Sequence, residues 1–242
     1  MSHIAKTGNH AERIICSQAS ILSALGASSI VGAGKGKKTD IILTLVNGER
    51  KTFQIKNSDT FSKTTRGHSV DRRSWIDFVT PLRSRSLRAA LHDVSQKQQR
   101  VKGSTWLCNL FPSTCSSRAE SELIVRRSLL GEEEEFAPTD FMATRLNSSK
   151  TEIVEIATCP ANVLVDHLVS TLYEHPRLVK SCIELGPNIY LQRKGGDKKD
   201  KRASDIQTKI KFDQSLSHLF TPVPLPSSVP ESTSVPLEPV PV

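Results

Sequence analysis

No stretch of this 242-residue chain approaches the ~18 consecutive apolar residues of a membrane-spanning helix, and the opening MSHIAKTGNHAER lacks an apolar signal core. A cytoplasmic protein, with no membrane partner, is expected. Cysteine is equally unpatterned. Cys16, Cys108, Cys115, Cys159 and Cys182 are odd in number, with neither a CxxC pair nor the Cys/His spacing of a zinc site. Reduced, mostly buried thiols follow, and no His or Asn is placed to activate one of them as a nucleophile. His68, His92, His167, His175 and His218 form no spaced pair, and there is no internal repeat. The run from Gly32 to Thr39 (GAGKGKKT) misses the GxxxxGK[ST] spacing of a phosphate-binding loop, and a strand follows where that fold demands a helix.

Positive charge is what the chain has. Lys and Arg number 33 against 25 Asp and Glu, a formal charge of +8, which favours a polyanionic partner, nucleic acid first. The length suits one domain over residues 1–220. The prolines of TPVPLPSSVPESTSVPLEPVPV, residues 221–242, exclude packed helix or strand and predict a disordered or polyproline-like tail.

Asn9 with Glu12 three residues on reads as a capping box, and Ile15, Ala19, Leu22 and Leu25 recur at helical spacing, predicting a helix over about 10–25. After a lysine-bearing loop comes a hairpin: DIILTLV, the turn pair Asn47-Gly48, then RKTFQIKN. In its second strand Phe53 and Ile55 face one side, Thr52, Gln54 and Lys56 the other. The spacing predicts helices from about Val70, at 82–94, at 118–130 and over Asn162–Tyr173. Strands are expected at Trp106–Phe111, Ile153–Ala157, Asn188–Leu191 and Ile206–Phe212. The acidic run Glu132–Glu135 reads as a solvated connector.

Phosphodiester hydrolysis requires a divalent ion to neutralise charge building on the phosphate, and a group that orients water. Magnesium takes hard oxygen ligands, typically one or two carboxylates. An aspartate opening one hairpin strand beside a lysine on the next, Asp40 and Lys56, meets that need. A strict two-residue turn would pair Asp40 with Ile55 and turn it from Gln54 and Lys56. Pairing Val46 with Arg50, through a three-residue loop or a bulge at Gly48, sets Asp40 opposite Lys56 instead, and that register is expected. Similar acid-or-amide/lysine pairs at Glu49/Lys51, Gln192/Lys194 and Gln207/Lys209 lack a preceding strand-start aspartate at hairpin distance.

With GKGKKTDIILTL, the Asn-Gly turn and TFQIKNSD, the chain resembles the PD-(D/E)XK nuclease superfamily, especially its type II restriction endonucleases; the match is most direct over residues 9–80. The resemblance implies an α/β (α+β) fold, a mixed central sheet flanked by helices. It makes Asp40 the metal-binding aspartate, Lys56 the lysine that orients attacking water or stabilises charge, and Glu12 the helical acid completing the metal shell. Gln54 stands where the family has Asp or Glu, and Thr39 where it has proline. The cofactor implied is Mg²⁺, the partner double-stranded DNA, and the assembly a homodimer suited to palindromic sites.

The following SDTFSKTTRGHSVDRRSWIDF is similar to the segment after this motif in several restriction enzymes, and IYLQRKGGDKKDKRASDIQTKIKF, more loosely, to their C-terminal parts. Lys35, Lys37, Lys38, Lys63, Arg66, His68, Arg72, Arg73, Gln192, Arg193, Lys194, Lys198 and Lys199 are the expected DNA contacts, to phosphates or base edges. A homing, repair or recombination nuclease of the same superfamily, or a non-catalytic DNA-binding protein on the same scaffold, are the alternatives.

Overall fold

A computed structural model describes residues 3–33, 38–57, 68–73, 117–131, 137–179, 182–193 and 206–226. The expected helix at 82–94, the strand at Trp106–Phe111 and the acidic run lie outside these residues, as does the tail beyond residue 226.

The architecture is mixed α/β. A six-stranded mixed sheet has the order β1-β2-β3-β5-β6-β11, and a five-stranded antiparallel sheet the order β4-β10-β9-β8-β7. In the first, β1 is Ala27–Gly32, β2 Ile41–Leu45, β3 Arg50–Asn57, β5 Asp140–Leu146, β6 Ile153–Pro160 and β11 Thr221–Val223. In the second, β4 is His68–Arg73, β7 Arg177–Val179, β8 Cys182–Glu184, β9 Ile189–Arg193 and β10 Ile206–Ile210. The helices are α1 (His3–Ser17), α2 (Ala19–Ala24), α3 (Arg118–Leu130), α4 (Ala161–Ser170) and the single turn α5 (Gln214–Ser217).

Two cores follow from the period-two alternation of the first sheet. On one face Ile41, Leu43, Phe53, Ile55 and Met142 pack with Ile14, Ile15 and Ile21 of the N-terminal helices. On the other, Phe141, Ala143 and Cys159 meet Val125 and Leu129 of α3, Leu164 and Leu168 of α4, and Val70, Leu191 and Ile206 of the second sheet. Helices therefore flank the sheet on both faces. The buried Ser128 and Thr208 hydroxyls, 2.8 Å apart, tie α3 to β10. Arg118 donates to the carbonyls of Leu172, Val169 and Ser170, closing the end of α4.

Four local expectations are corrected. The first helix starts at His3, well before the Asn9/Glu12 box, and breaks at Gln18, whose backbone is extended (φ −90°, ψ 102°). The Gln18 side chain holds that break, donating to Ser20 Oγ at 3.1 Å and accepting from the Ile153 N–H. The segment from Val70 is not helical: residues 68–73 are β4, because Val70 is 4% exposed in the core and β10 supplies the backbone partners. Residues 221–223, assigned to the tail, pair with β6 as an edge strand, a position that tolerates Pro222.

The hairpin register is the fourth. Ile41 pairs with Phe53 and Leu43 with Lys51, and Leu45 N–H donates to the Glu49 carbonyl at 2.8 Å. The loop is thus Val46-Asn47-Gly48, three residues as expected but closed between Leu45 and Glu49 rather than Val46 and Arg50. Gly48 carries φ +85° and Asn47 Oδ1 accepts the Glu49 N–H, which fixes the turn. The register sets Asp40 beside Gln54, two residues short of Lys56; an even shift keeps the faces unchanged.

Candidate active site

Strands β2 and β3 part at Asp40. Its N–H still reaches the Phe53 carbonyl at 2.8 Å. Two residues further along β3, the Ile55 N–H finds the Asp40 carboxylate at 2.7 Å instead of a backbone carbonyl. One carboxylate oxygen is therefore pinned in the crotch of the diverging strands.

Gln54 and Lys56 share the face of β3 opposite Phe53 and Ile55. Gln54 is 5% exposed. Its Nε2 donates to the Lys38 carbonyl at 3.2 Å, while its Oε1 is buried without a hydrogen-bond partner. Glu12, half-buried on α1, reaches the group from the helix covering the Phe53/Ile55 face, one residue from the buried Ala11.

The four sequence-derived candidates act on one another's charges. Burial raises the Asp40 pKa, opposed by Lys56, the Ile55 N–H and Lys38. Burial also raises that of Glu12, helped by the Asp40 charge and opposed by Lys56. Burial lowers Lys56 to about 8; Asp40 and Glu12 work against that shift and Lys38 adds to it. Carboxylates losing solvation on one side of a cleft are stabilised by a cation placed between them.

The donor set fits a hard divalent ion. Asp40 and Glu12 offer carboxylate oxygens and Gln54 an amide oxygen, the ligand chemistry of Mg²⁺. An acceptor left unsatisfied in the interior costs ~1–3 kcal/mol, a penalty that ligation of Gln54 Oε1 removes. Among the described residues no group of three or more His, Cys, Asp or Glu side chains is arranged to hold a metal, so the set depends on the amide. Beside it, Ala143, the β5 partner of Lys56, is one wall of a cleft of about 430 Å³ that continues past Ala157 to Phe220 and Pro222.

The expected DNA contacts scatter. Lys35, Lys37, Lys63, Arg66, Lys194, Lys198 and Lys199 lie outside the described residues. Lys38 is turned inward: its Nζ donates to Asp71 Oδ1 at 2.7 Å and to the Val70 carbonyl at 3.0 Å, so its charge is engaged within the protein. The His68 ring packs edge-on against Phe212, with centroids 5.7 Å apart. Arg72 and Gln192 sit on either side of Gln207 across the second sheet, and Arg73 and Arg193 on either side of Ile206. The two basic loops join β4 and its neighbours at opposite ends, residues 58–67 leading into His68 and residues 194–205 leaving Arg193 opposite Ile206 and Arg73. Asp71 was missed by the sequence reading, hidden by the helical assignment. The alternation in HSVDRR, with Val70 inward, was the signal available.

Among the described residues no helix is long and apolar enough to cross a membrane. No protein-family model matches the chain, and no curated protein does. Among solved structures, that of the restriction endonuclease MspI in complex with its cognate DNA is similar over 80% of this chain and 76% of that chain, at 16% identity and a TM-score of 0.43.

Proposed function

We propose that this chain is a Mg²⁺-dependent endonuclease of the PD-(D/E)XK type that cuts double-stranded DNA at specific sites, as a type II restriction enzyme, leaving 5′-phosphates. The observation that carries the reading is the parting of β2 and β3 around Asp40. There a pinned carboxylate, a second acid on α1, a buried amide oxygen without a partner and a lysine with a depressed pKa act on one another.

Asp40, Glu12 and Gln54 would hold the cation, which supplies charge neutralisation at the scissile phosphate. Lys56 holds and orients the attacking water and stabilises negative charge as it grows on the phosphate. The Ile55 N–H fixes the Asp40 carboxylate before substrate arrives, so its geometry needs no reorganisation during the reaction. The formal charge of +8 supports a phosphate-bearing substrate. A homodimer is part of the proposal, since two-fold symmetry matches palindromic duplex sites.

A homing, repair or recombination nuclease would use the same four residues. One observation favours a different reading: Gln54 is neutral where a third carboxylate would bind the ion more strongly, as suits a DNA-binding protein that has lost catalysis. Purified protein incubated with plasmid DNA and Mg²⁺ separates these. A site-specific nuclease gives discrete fragments, and Asp40→Ala or Lys56→Ala abolishes them while duplex binding persists. A relaxed nuclease gives a smear, and a binder leaves the plasmid intact.

A further inference from the structure

Gln54 presents its oxygen inward only because something holds its other end. A carbonyl can accept but not donate, so the 3.2 Å contact from Gln54 Nε2 to the Lys38 backbone oxygen decides which end of the amide faces the site. That makes the position of Lys38 matter, and it is anchored from outside the hairpin. Its Nζ bonds Asp71 Oδ1 at 2.7 Å and the Val70 carbonyl at 3.0 Å, both on β4 of the other sheet, in a pair whose side chains are only 14% and 11% exposed. Its stem runs past the end of α3, where a Cβ on Gly131 would lie 3.5 Å from Lys38 Cγ.

We infer that Lys38 and Asp71 are positioning residues that latch β4 to the cation site and aim the Gln54 oxygen at it. The inference rests on the reading of Asp40, Glu12 and Gln54 as cation ligands. It reassigns Lys38 from a phosphate contact to an internal strut. It also gives the second sheet a lever on the reaction: whatever displaces β4 changes cation affinity, and cation binding resists the displacement by the same factor.

A pure charge effect and a positioning effect have opposite signs at Lys38. Removing a positive charge near a cation site tightens binding if charge is all that counts, whereas removing a strut loosens it. Binding of Mn²⁺ alone to the metal-free full chain, followed by titration calorimetry without DNA, reads the difference. Lys38→Met and Asp71→Asn should each weaken Mn²⁺ by about tenfold, the usual cost of losing a group that supports a ligand. Lys38→Arg, which keeps the ion pair, should recover most of the loss, and the double variant should be no weaker than either single one. Should Asp71→Asn fail to fold, Asp71→Glu, which keeps the charge and displaces it by one methylene, should show a smaller loss.

Tighter or unchanged binding in Lys38→Met, or unchanged binding in whichever Asp71 variant folds, overturns the latch. If Asp40→Asn abolishes Mn²⁺ binding in that case, the nuclease reading still stands. If Asp40→Asn also binds Mn²⁺ normally, both the latch and the proposed cation site are overturned.

Discussion

Asp40 completes β3 with its side chain: the carboxylate accepts the Ile55 N–H at 2.7 Å where the departing β2 offers no carbonyl. The same group is held in a buried position that raises its pKa above 3.8. The folded, metal-free chain therefore takes up a proton here more readily than the unfolded chain. By linkage, stability falls as pH climbs from 3.8 through the raised value. Asp40→Asn keeps an acceptor for Ile55 and carries no titration. It should melt above the wild type at neutral pH in chelator, with a flatter pH profile, while Mg²⁺-dependent cleavage drops on the order of 100-fold or more. Equal melting temperatures at neutral pH would falsify the strain argument.

Lys56 gives the opposite slope. Its pKa is lowered from 10.5 to about 8, mainly by burial. Between those values the unfolded chain binds the proton and the folded chain does not, so stability rises with pH across that window. Below about 8 the buried ammonium costs its full desolvation. Lys56→Met should thus be more stable than wild type at pH 7 and lose that advantage by pH 10, read as urea midpoints at each pH, with cleavage absent throughout. A constant difference between the two proteins across that range would refute the shift.

The local chemistry of the hairpin was open to reading. RKTFQIKN alternates, Asn47-Gly48 marks the turn, and the face shared by Gln54 and Lys56 follows from period two alone. Its register was not, because the turn could close one residue earlier or later at equal local cost, and the choice of Leu45 with Glu49 depends on Gly48 adopting φ +85°. Long-range pairings leave no mark at all. The parallel alignment of Phe53 with Asp140 joins segments far apart in the chain, and the seating of β4 against β10 made a strand of VDRR, whose composition suits a helix equally well. Lys38 looked like a surface cation because its partner Asp71 comes from that strand.

Phosphate contacts and cation ligands separate by their response to salt. Each lysine or arginine that meets a DNA phosphate contributes about one unit to the slope of log affinity against log salt. Lys63→Ala with Arg66→Ala, and Lys198→Ala with Lys199→Ala, should each flatten that slope by roughly two, measured by anisotropy of a labelled duplex in calcium or chelator. Mn²⁺ affinity without DNA should not change. A slope that stays constant in both pairs removes these loops from the DNA surface.

Gln54→Glu restores an acid where the amide stands, and it separates two opposed effects. A third carboxylate beside Asp40 and Glu12 should tighten Mn²⁺ or Mg²⁺ binding by about tenfold, because hard divalent ions prefer charged oxygens. Without the ion the same change sets like charges together in a buried site. It also removes the donor that Gln54 offers the Lys38 carbonyl, leaving two acceptors face to face at a cost of about 1–3 kcal/mol. The variant should be less stable than wild type in chelator and gain more from added Mg²⁺, visible as a larger metal-induced rise in melting temperature. If Gln54→Glu binds the ion no better and melts no lower, position 54 does not face the cation, and the proposed site would have to be built from Asp40 and Glu12 alone.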